Sequence, residues 1–175
     1  MAISLLDAGG AHSLAIHSIY GHWVRHGLAS FEEEAPDQGE MDHRRRMIQD
    51  AGFPYIVAEE SAIILGFAYA GPYRTRSAYR YTVEDSVYVA PEALGRGVGR
   101  ALLSRVISRA EIMGKRQMVA IIGDPANAPS IRLHESLGFR RIGTLQAVGY
   151  KFGRWVDTVF MQRTLGPGDS KPPLF

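Results

Sequence analysis

The sequence VYVAPEALGRGVGRALL, residues 87–103, joins a short strand pattern to a glycine-rich turn and the start of an amphipathic helix. The apolar run at 87–89 predicts a strand, and Pro91 ends it. Glycines at alternate positions then lead into a helical pattern over residues 98–113. Glycine lets the backbone approach a ligand, and the first N–H groups of a helix attract anions. The segment predicts a phosphate-binding site, the alternative being a glycine-rich turn without a ligand.

The spacing of the glycines narrows the class of phosphate ligand. A dinucleotide-binding loop requires G-x-G-x-x-G, but Arg100 or Leu102 occupies the last position in the two frames. A Walker A loop requires Gly-Lys-Ser/Thr, whereas Gly99 is followed by Arg100 and Ala101. What remains is a G-x-G pair that enters a helix, with positive charge added by Arg96 and Arg100.

The composition limits the classes of function. A chain of 175 residues is long enough for one domain with a full core. A net charge of +2 is too small to predict a nucleic-acid partner. No apolar run has the length of a membrane span and no signal pattern begins the chain, so we expect a cytoplasmic protein without a membrane partner. The absence of cysteine excludes thiolate metal sites and a cysteine nucleophile, and no metal is predicted. Any acyl transfer would therefore go directly to the acceptor or through another nucleophile.

Apolar periodicity predicts four helices and seven strands in an α/β arrangement with a mixed sheet. Helices are predicted over residues 11–28, 41–51, 98–113 and 129–137. Strands are predicted over residues 2–6, 55–58, 62–70, 79–89, 117–122, 140–150 and 155–163. One domain over residues 1–165 is expected, followed by a Gly- and Pro-rich flexible tail at 166–175.

A second motif, NAPSIRLHESLGF at residues 127–139, begins with Asn127 as a helix N-cap and ends the helix at Gly138. With the glycine turn about thirty residues earlier, it resembles the GNAT superfamily of N-acetyltransferases. The resemblance implies a GNAT fold, a mixed and mostly antiparallel central sheet flanked by helices, with acetyl-CoA as co-substrate. The chain departs from the family pattern at Leu94, where Gln or Arg is usual.

Three further segments narrow the resemblance. They are ASFEEEAP (29–36), AYAGPYRTRSAYRYTVEDSVYVAP (68–91) and VGYKFGRWVDTVFMQ (148–162). All three look like the phosphinothricin and methionine sulfoximine acetyltransferases. That family acetylates the α-amino group of small, glutamate- or methionine-like amino acids and is typically a homodimer, which we therefore expect here.

The resemblance assigns coenzyme binding to the strand, the glycine turn and the second motif. The residues are Val87, Tyr88, Val89, Gly95, Arg96, Gly97, Val98, Gly99, Arg100, Asn127 and Ser136. Backbone N–H groups at 87–89, on a strand that bulges in the family, would meet the acetyl oxygen. Asn127 would bond the pantetheine arm.

Proton transfer needs a base and an acid. An amine of pKa about 10 must lose a proton before it attacks a thioester. Glu84 matches the general base proposed for the family, with Ser86 on the same strand face and Asp85 on the opposite face. Asp85 is an alternative base, directly or through water. His134 occupies the general-acid position and has an unperturbed pKa of about 6.5, and Tyr150 is the alternative acid.

An amino-acid acceptor also carries a carboxylate, which favours a guanidinium partner. The family match places acceptor contacts on the turn at 74–76, with a lid from the loop at 31–32. The predicted acceptor-binding residues are Phe31, Glu32, Arg74, Thr75, Arg76, Arg80, Asp85, Ser86 and Tyr150. Trp23 and Trp155 are predicted to be core or dimer contacts.

The sequence is also compatible with two rival functions. The first is an acetyltransferase for a protein or peptide amine, but residues 73–81 and 148–162 favour enclosure of a small molecule. The second is a non-catalytic acyl-CoA-binding module, which the presence of Glu84 disfavours.

Overall fold

Seven strands and four helices organise residues 3–173, the part of the chain that this computed structural model describes. The strands are β1 (Ser4–Asp7), β2 (Tyr55–Glu60), β3 (Ile63–Pro72), β4 (Thr82–Val89), β5 (Gln117–Gly123), β6 (Arg140–Lys151) and β7 (Arg154–Thr164). The helices are α1 (Ser13–His26), α2 (Gln38–Asp50), α3 (Val98–Ile112) and α4 (Ala128–Ser136). The predicted α/β class with a mixed sheet is confirmed.

Most element bounds differ from the sequence prediction by one to three residues. Residue 2 of the first predicted strand lies outside the described residues, and β1 begins at Ser4. Helix α2 begins three residues early, because the Asp37 side chain accepts a hydrogen bond of 2.8 Å from the backbone N–H of Glu40 and caps the helix. Strand β4 begins late, because Ser77–Tyr79 form a single 3₁₀ turn before it.

The sheet has the strand order β1-β2-β3-β4-β5-β7-β6, and β4–β5 is its parallel pair. This pair joins only Thr82–Val83–Glu84 to the start of β5, with Glu84 opposite Val119. The antiparallel pairing of β4 with β3 continues in one register to Val89, opposite Gly66. Strand β4 therefore stays with β3 while it leaves β5, and a wedge-shaped gap opens between β4 and β5 beyond Glu84.

Helices α1 and α3 cover opposite faces of the sheet. Tyr20 of α1 packs edge-on against Tyr88, with ring centroids 5.0 Å apart. Leu102 of α3 lies against Gly66, where a Cβ would lie 2.6 Å from the carbonyl oxygen of Tyr88. Gly66 pairs with Val89, and consecutive strand residues face opposite ways, which places α3 on the other face. Fully buried side chains between the layers include Val57, Phe67, Val83, Leu102, Leu103 and Met118.

The predicted tail is described as far as residue 173, and residues 174–175 lie outside the described part. Arg116 donates hydrogen bonds to the carbonyl oxygens of Gly168 and Pro172. Leu165, just before the tail, is fully buried. Across residues 3–173, none of the helices combines the length and apolar character that crossing a bilayer requires.

Candidate active site

Two adjoining cavities open at the gap between β4 and β5. The first, of about 230 Å³, lies between the diverging strands and is lined by residues 84–88 and 120–123, with Phe31 above them. The second, of about 580 Å³, lies beyond the end of β4 and is lined by the glycine turn and the starts of α3 and α4. Both cavities are lined by Val87 and Asn127, so one elongated ligand can occupy the two together.

The glycine turn forms an open cradle at the start of α3. Gly95 and Gly97 have φ angles of +75° and +80°, in the left-handed region that side chains disfavour. A Cβ on either glycine would meet nothing within 4 Å, so the space above the turn is free for a ligand. At Gly99 a Cβ would lie 3.2 Å from Leu133, so α3 and α4 approach closely there. The cradle and the unpaired N–H groups of the first α3 turn fit a diphosphate.

The two predicted basic side chains of this turn, Arg96 and Arg100, have different partners. Arg100 lines the second cavity and donates to the Oγ and carbonyl oxygen of Ser136, at 2.7 and 3.2 Å. Arg96 instead donates to Glu60 of β2, with 2.5 Å between Nη2 and Oε2. Neither Arg96 nor Ser136 lines the cavities, so of these three only Arg100 forms part of a cavity wall.

Trp23 of α1 packs against the hydrophobic core, in agreement with its prediction as a core contact, and it also lines the second cavity. The side chain lines the cavity, and its Nε1–H donates a 2.8 Å hydrogen bond to the carbonyl oxygen of Val89. This contact joins α1 to the last residue of β4. The two residues are 66 positions apart in the sequence. Helical periodicity predicts that Trp23 lies on α1 but does not predict this hydrogen bond.

A buried histidine–aspartate pair lies at the wall of the first cavity. The ring of His134 bonds the carbonyl oxygen of Ser130 through Nδ1 at 2.7 Å and the Oδ2 of Asp85 through Nε2 at 3.0 Å. A carbonyl and a carboxylate both accept only, so both ring nitrogens must carry hydrogen when Asp85 is ionised. The pair is then an imidazolium–carboxylate ion pair, with side chains no more than 3% exposed.

The surroundings of His134 favour its charged form. Burial by itself lowers the pKa of His134. The hydrogen bond and charge of Asp85, helped by the carbonyl of Ser130, more than offset this, and the pKa lies above its ordinary value. The same contacts leave neither ring nitrogen free to donate a proton to a ligand.

Two buried polar atoms among the described residues lack a hydrogen-bond partner and belong to residues that line the first cavity. They are Asp85 Oδ1 and Thr158 Oγ1. Buried polar groups are nearly always paired, so these atoms mark places where a water molecule or a ligand group completes the site. Thr158 was not predicted, because it lies on β7 within a pattern that indicates only a strand.

Glu84 lines the first cavity and lies on the sheet face opposite to Asp85. Burial raises the pKa of Glu84, the charge of Asp85 raises it further, and the charge of Arg74 partly offsets both. A carboxylate with a raised pKa is a better proton acceptor near neutral pH. Ser86 lines the same cavity.

Phe31 reaches the cavity as predicted, but Glu32 does not. The Phe31 ring lines the first cavity and lies against the backbone of Gly149 in β6, where a Cβ would overlap it. The Glu32 carboxylate turns away and accepts a hydrogen bond from Arg44, with 2.5 Å between Nη1 and Oε1.

The predicted carboxylate-binding arginines lie on the exposed segment before β4. Arg74 donates a hydrogen bond to the carbonyl oxygen of Tyr73, and its guanidinium carbon lies 4.3 Å from the centroid of the Tyr73 ring. Arg80 donates to the carbonyl oxygen of Ser77. Neither cavity is lined by the predicted residues of this segment, which are Arg74, Thr75, Arg76 and Arg80. Arg74 affects the site through its charge, which lowers the pKa of Glu84. Tyr150 also lies elsewhere, 56% exposed and packed edge-on against Trp155.

Comparisons with known proteins agree with this geometry. The profile of the Acetyltransferase (GNAT) family matches residues 16–139, and the chain belongs to the GNAT family of acetyltransferases. The predicted family, fold and class of enzyme are thereby confirmed. Within residues 3–173, no group of three or more His, Asp or Glu side chains is placed to hold a metal ion.

Individual relatives are similar along nearly the whole chain. The sequence is 55% identical over 159 residues to the phosphinothricin N-acetyltransferase of Alcaligenes faecalis, covering 91% of this chain and 81% of that one. It is 44% identical over 158 residues to the L-methionine sulfoximine/L-methionine sulfone acetyltransferase of Salmonella typhimurium, covering 90% and 92%. The crystal structure of a phosphinothricin acetyltransferase from Sinorhizobium meliloti with acetyl-CoA superposes with a TM-score of 0.95 at 46% identity, covering 99% and 94%.

Proposed function

We propose that this enzyme transfers the acetyl group of acetyl-CoA to the α-amino group of a small amino acid of the phosphinothricin or methionine sulfoximine type. The observation that carries the proposal is the position of Glu84, a half-buried carboxylate of raised pKa at the gap between β4 and β5. The names of the relatives support the substrate class.

The chain's backbone and the second cavity provide the coenzyme site. Acetyl-CoA, when bound, supplies the thioester that is attacked. The turn at 95–97 and the first N–H groups of α3 hold the diphosphate, with Arg100 beside them. Beyond Glu84 the edge of β4 that faces β5 is not used by sheet pairing, so its N–H groups can bind the acetyl oxygen as that oxygen gains charge.

Glu84 removes the proton from the acceptor's ammonium group. The freed nitrogen attacks the thioester carbon, and the amide bond forms as the carbon–sulfur bond breaks. The nitrogen's second proton passes to the leaving sulfur, which departs as the thiol of coenzyme A. His134 has both ring nitrogens engaged, so we assign it to holding Asp85 in place and not to protonating the leaving sulfur. The unpaired Asp85 Oδ1 is available to accept a hydrogen bond from the acceptor or from a water beside it.

We further propose that two copies of the chain associate in the cytoplasm, where acetyl-CoA is a common metabolite. Six large apolar side chains of β6, β7 and the turn between them are at least half exposed. They are Ile142, Leu145, Val148, Tyr150, Phe152 and Trp155. Exposed apolar patches of this kind mark interaction surfaces, and identical copies bury them symmetrically.

The test of the proposed function is an acceptor screen with the purified protein and a thiol-release readout. We expect thiol release with phosphinothricin, methionine sulfoximine or methionine sulfone. We expect none with peptides that carry the same residues at their N-terminus. Release with peptides alone would support a protein amine as acceptor instead. Coenzyme binding without release on any amine would identify a non-catalytic binding module.

A further inference from the structure

Lys151, the last residue of β6, is fully buried and has no part in the chemistry described above. Its Nζ donates hydrogen bonds of 3.0 Å to the carbonyl oxygen of Gly27 and 2.7 Å to that of Ser30. Buried lysines are rare, because the ammonium group loses its hydration unless acceptors replace water. Burial lowers the pKa of Lys151, and the charges of Glu32 and Glu33 partly offset this.

Both acceptors of Lys151 belong to the loop that joins α1 to α2. Gly27 follows the last residue of α1, and Ser30 immediately precedes Phe31. The ammonium group therefore connects the two ends of a four-residue stretch to the sheet. A second contact fixes Ser30 from the other side, because its Oγ lies 3.2 Å from the hydroxyl of Tyr20 on α1.

The sheet provides a close-fitting surface for the same loop. A Cβ at Gly149, two residues before Lys151, would overlap the ring of Phe31. A Cβ at Gly123 would overlap the carbonyl oxygen of Leu28. Strands β5 and β6 thus each present a bare backbone where the loop crosses them, and Lys151 holds the loop at that place.

We propose that Lys151 is a positioning residue for acceptor binding. Its two hydrogen bonds fix the loop so that the Phe31 ring lies on Gly149 and forms one wall of the first cavity. Lys151 touches no reacting atom and acts through Phe31. The inference rests on the proposed function, since it takes the first cavity as the place of the acceptor.

The kinetic test replaces the ammonium group and keeps the aliphatic stem. Lys151→Met should raise the KM for the acceptor about tenfold, the equivalent of one charge-assisted hydrogen bond. The KM for acetyl-CoA should change less than about twofold. Lys171→Met, at an exposed lysine, is the matched control and should match the wild type. Equal rises in both KM values, or an unchanged acceptor KM, would overturn the proposal.

A double-mutant cycle tests whether Lys151 acts through Phe31. In a Phe31→Ala background, Lys151→Met should no longer raise the acceptor KM, because the wall it positions is gone. Gly149→Ala, which displaces the Phe31 ring and leaves Lys151 intact, should raise the acceptor KM as Lys151→Met does. Independent, multiplying effects of Phe31→Ala and Lys151→Met would contradict the proposal.

Amide hydrogen exchange tests the loop without any acceptor. Exchange at residues 27–31 should be at least about tenfold faster in Lys151→Met than in Lys171→Met, with β5 amides unchanged. Unchanged loop exchange would overturn the inference even if amino acids are acetylated. Faster loop exchange in a protein that acetylates no amino acid would instead refute the proposed function alone. If Lys151→Met does not fold, Lys151→Gln, which keeps amide donors on a shorter stem, takes its place.

Discussion

The Nε2 atom of His134 lies 3.0 Å from Oδ2 of Asp85 and ties helix α4 to the strand that carries Glu84. The pair is buried, and the other ring nitrogen of His134 is held by Ser130. When Asp85 is ionised, both ring nitrogens of His134 must carry hydrogen, because each faces an acceptor. The contact can therefore be tested by titration of the imidazole.

Asp85→Asn should lower the pKa of His134, because an amide cannot stabilise the imidazolium as a carboxylate does. The raised folded-state pKa of His134 in the wild type means that the pair stabilises the fold fully below about pH 6.5. This stabilisation is lost as the pH rises through the raised pKa. The difference in free energy of unfolding between wild type and variant should therefore shrink from pH 5 to 9. NMR titration of the imidazole and melts across this range measure both effects, and a pH-independent difference would refute the ion pair.

Glu84→Gln should lower kcat by about 10²- to 10⁴-fold, the range for loss of a general base. The variant keeps the shape of the side chain, so the affinity for acetyl-CoA measured by calorimetry should be nearly unchanged. Because the pKa of Glu84 is raised, wild-type kcat should rise with pH through that value, and the variant should lack this limb. Retained turnover in Glu84→Gln would remove Glu84 from the mechanism and leave Asp85 as the base.

Gly97→Val should abolish binding of acetyl-CoA. The residue has a φ of +80° in the cradle, where a branched side chain is strained and would fill the ligand's space. Gly114→Val is the matched control, since Gly114 has a φ of +73° and an equally open surrounding at the far end of α3. Calorimetry with the coenzyme should give no heat for the first variant and wild-type heat for the second. Equal binding by both would contradict the assignment of the cradle.

Paired substitutions Leu145→Arg and Trp155→Arg should convert a dimer to a monomer, because they place charge in the exposed apolar patch of β6 and β7. Leu14→Arg, at a residue 66% exposed on α1, is the control and should leave the mass unchanged. Analytical ultracentrifugation gives the mass of each. A monomeric wild type would end the dimer proposal.

The sequence predicted the features that arise from local pattern. The strand, glycine turn and helix start at residues 87–103 are neighbours in the chain, and so are Asn127 and the helix that it caps. Alternation along β4 also placed Glu84 and Asp85 on opposite faces.

Contacts between distant segments could not be predicted in the same way. Arg96 pairs with Glu60 on β2, 36 positions away, which no rule of periodicity indicates. Lys151 meets the carbonyls of Gly27 and Ser30 across more than 120 positions of sequence. The position of His134 on α4 was predicted, but its engagement with Asp85 depends on how α4 packs against the sheet.

The short parallel pairing of β4 with β5 also has a consequence for cooperativity. Only three residue pairs join the β1–β4 half of the sheet to the β5–β7 half, and Glu84 belongs to the last of them. Within the sheet the two halves meet along this short seam, and outside the sheet they are joined by the contact of His134 with Asp85 and by the bonds of Lys151 to the loop at 27–30. Native-state fluctuations should follow this boundary, so that a bound coenzyme, lying across it, acts as a brace between the halves.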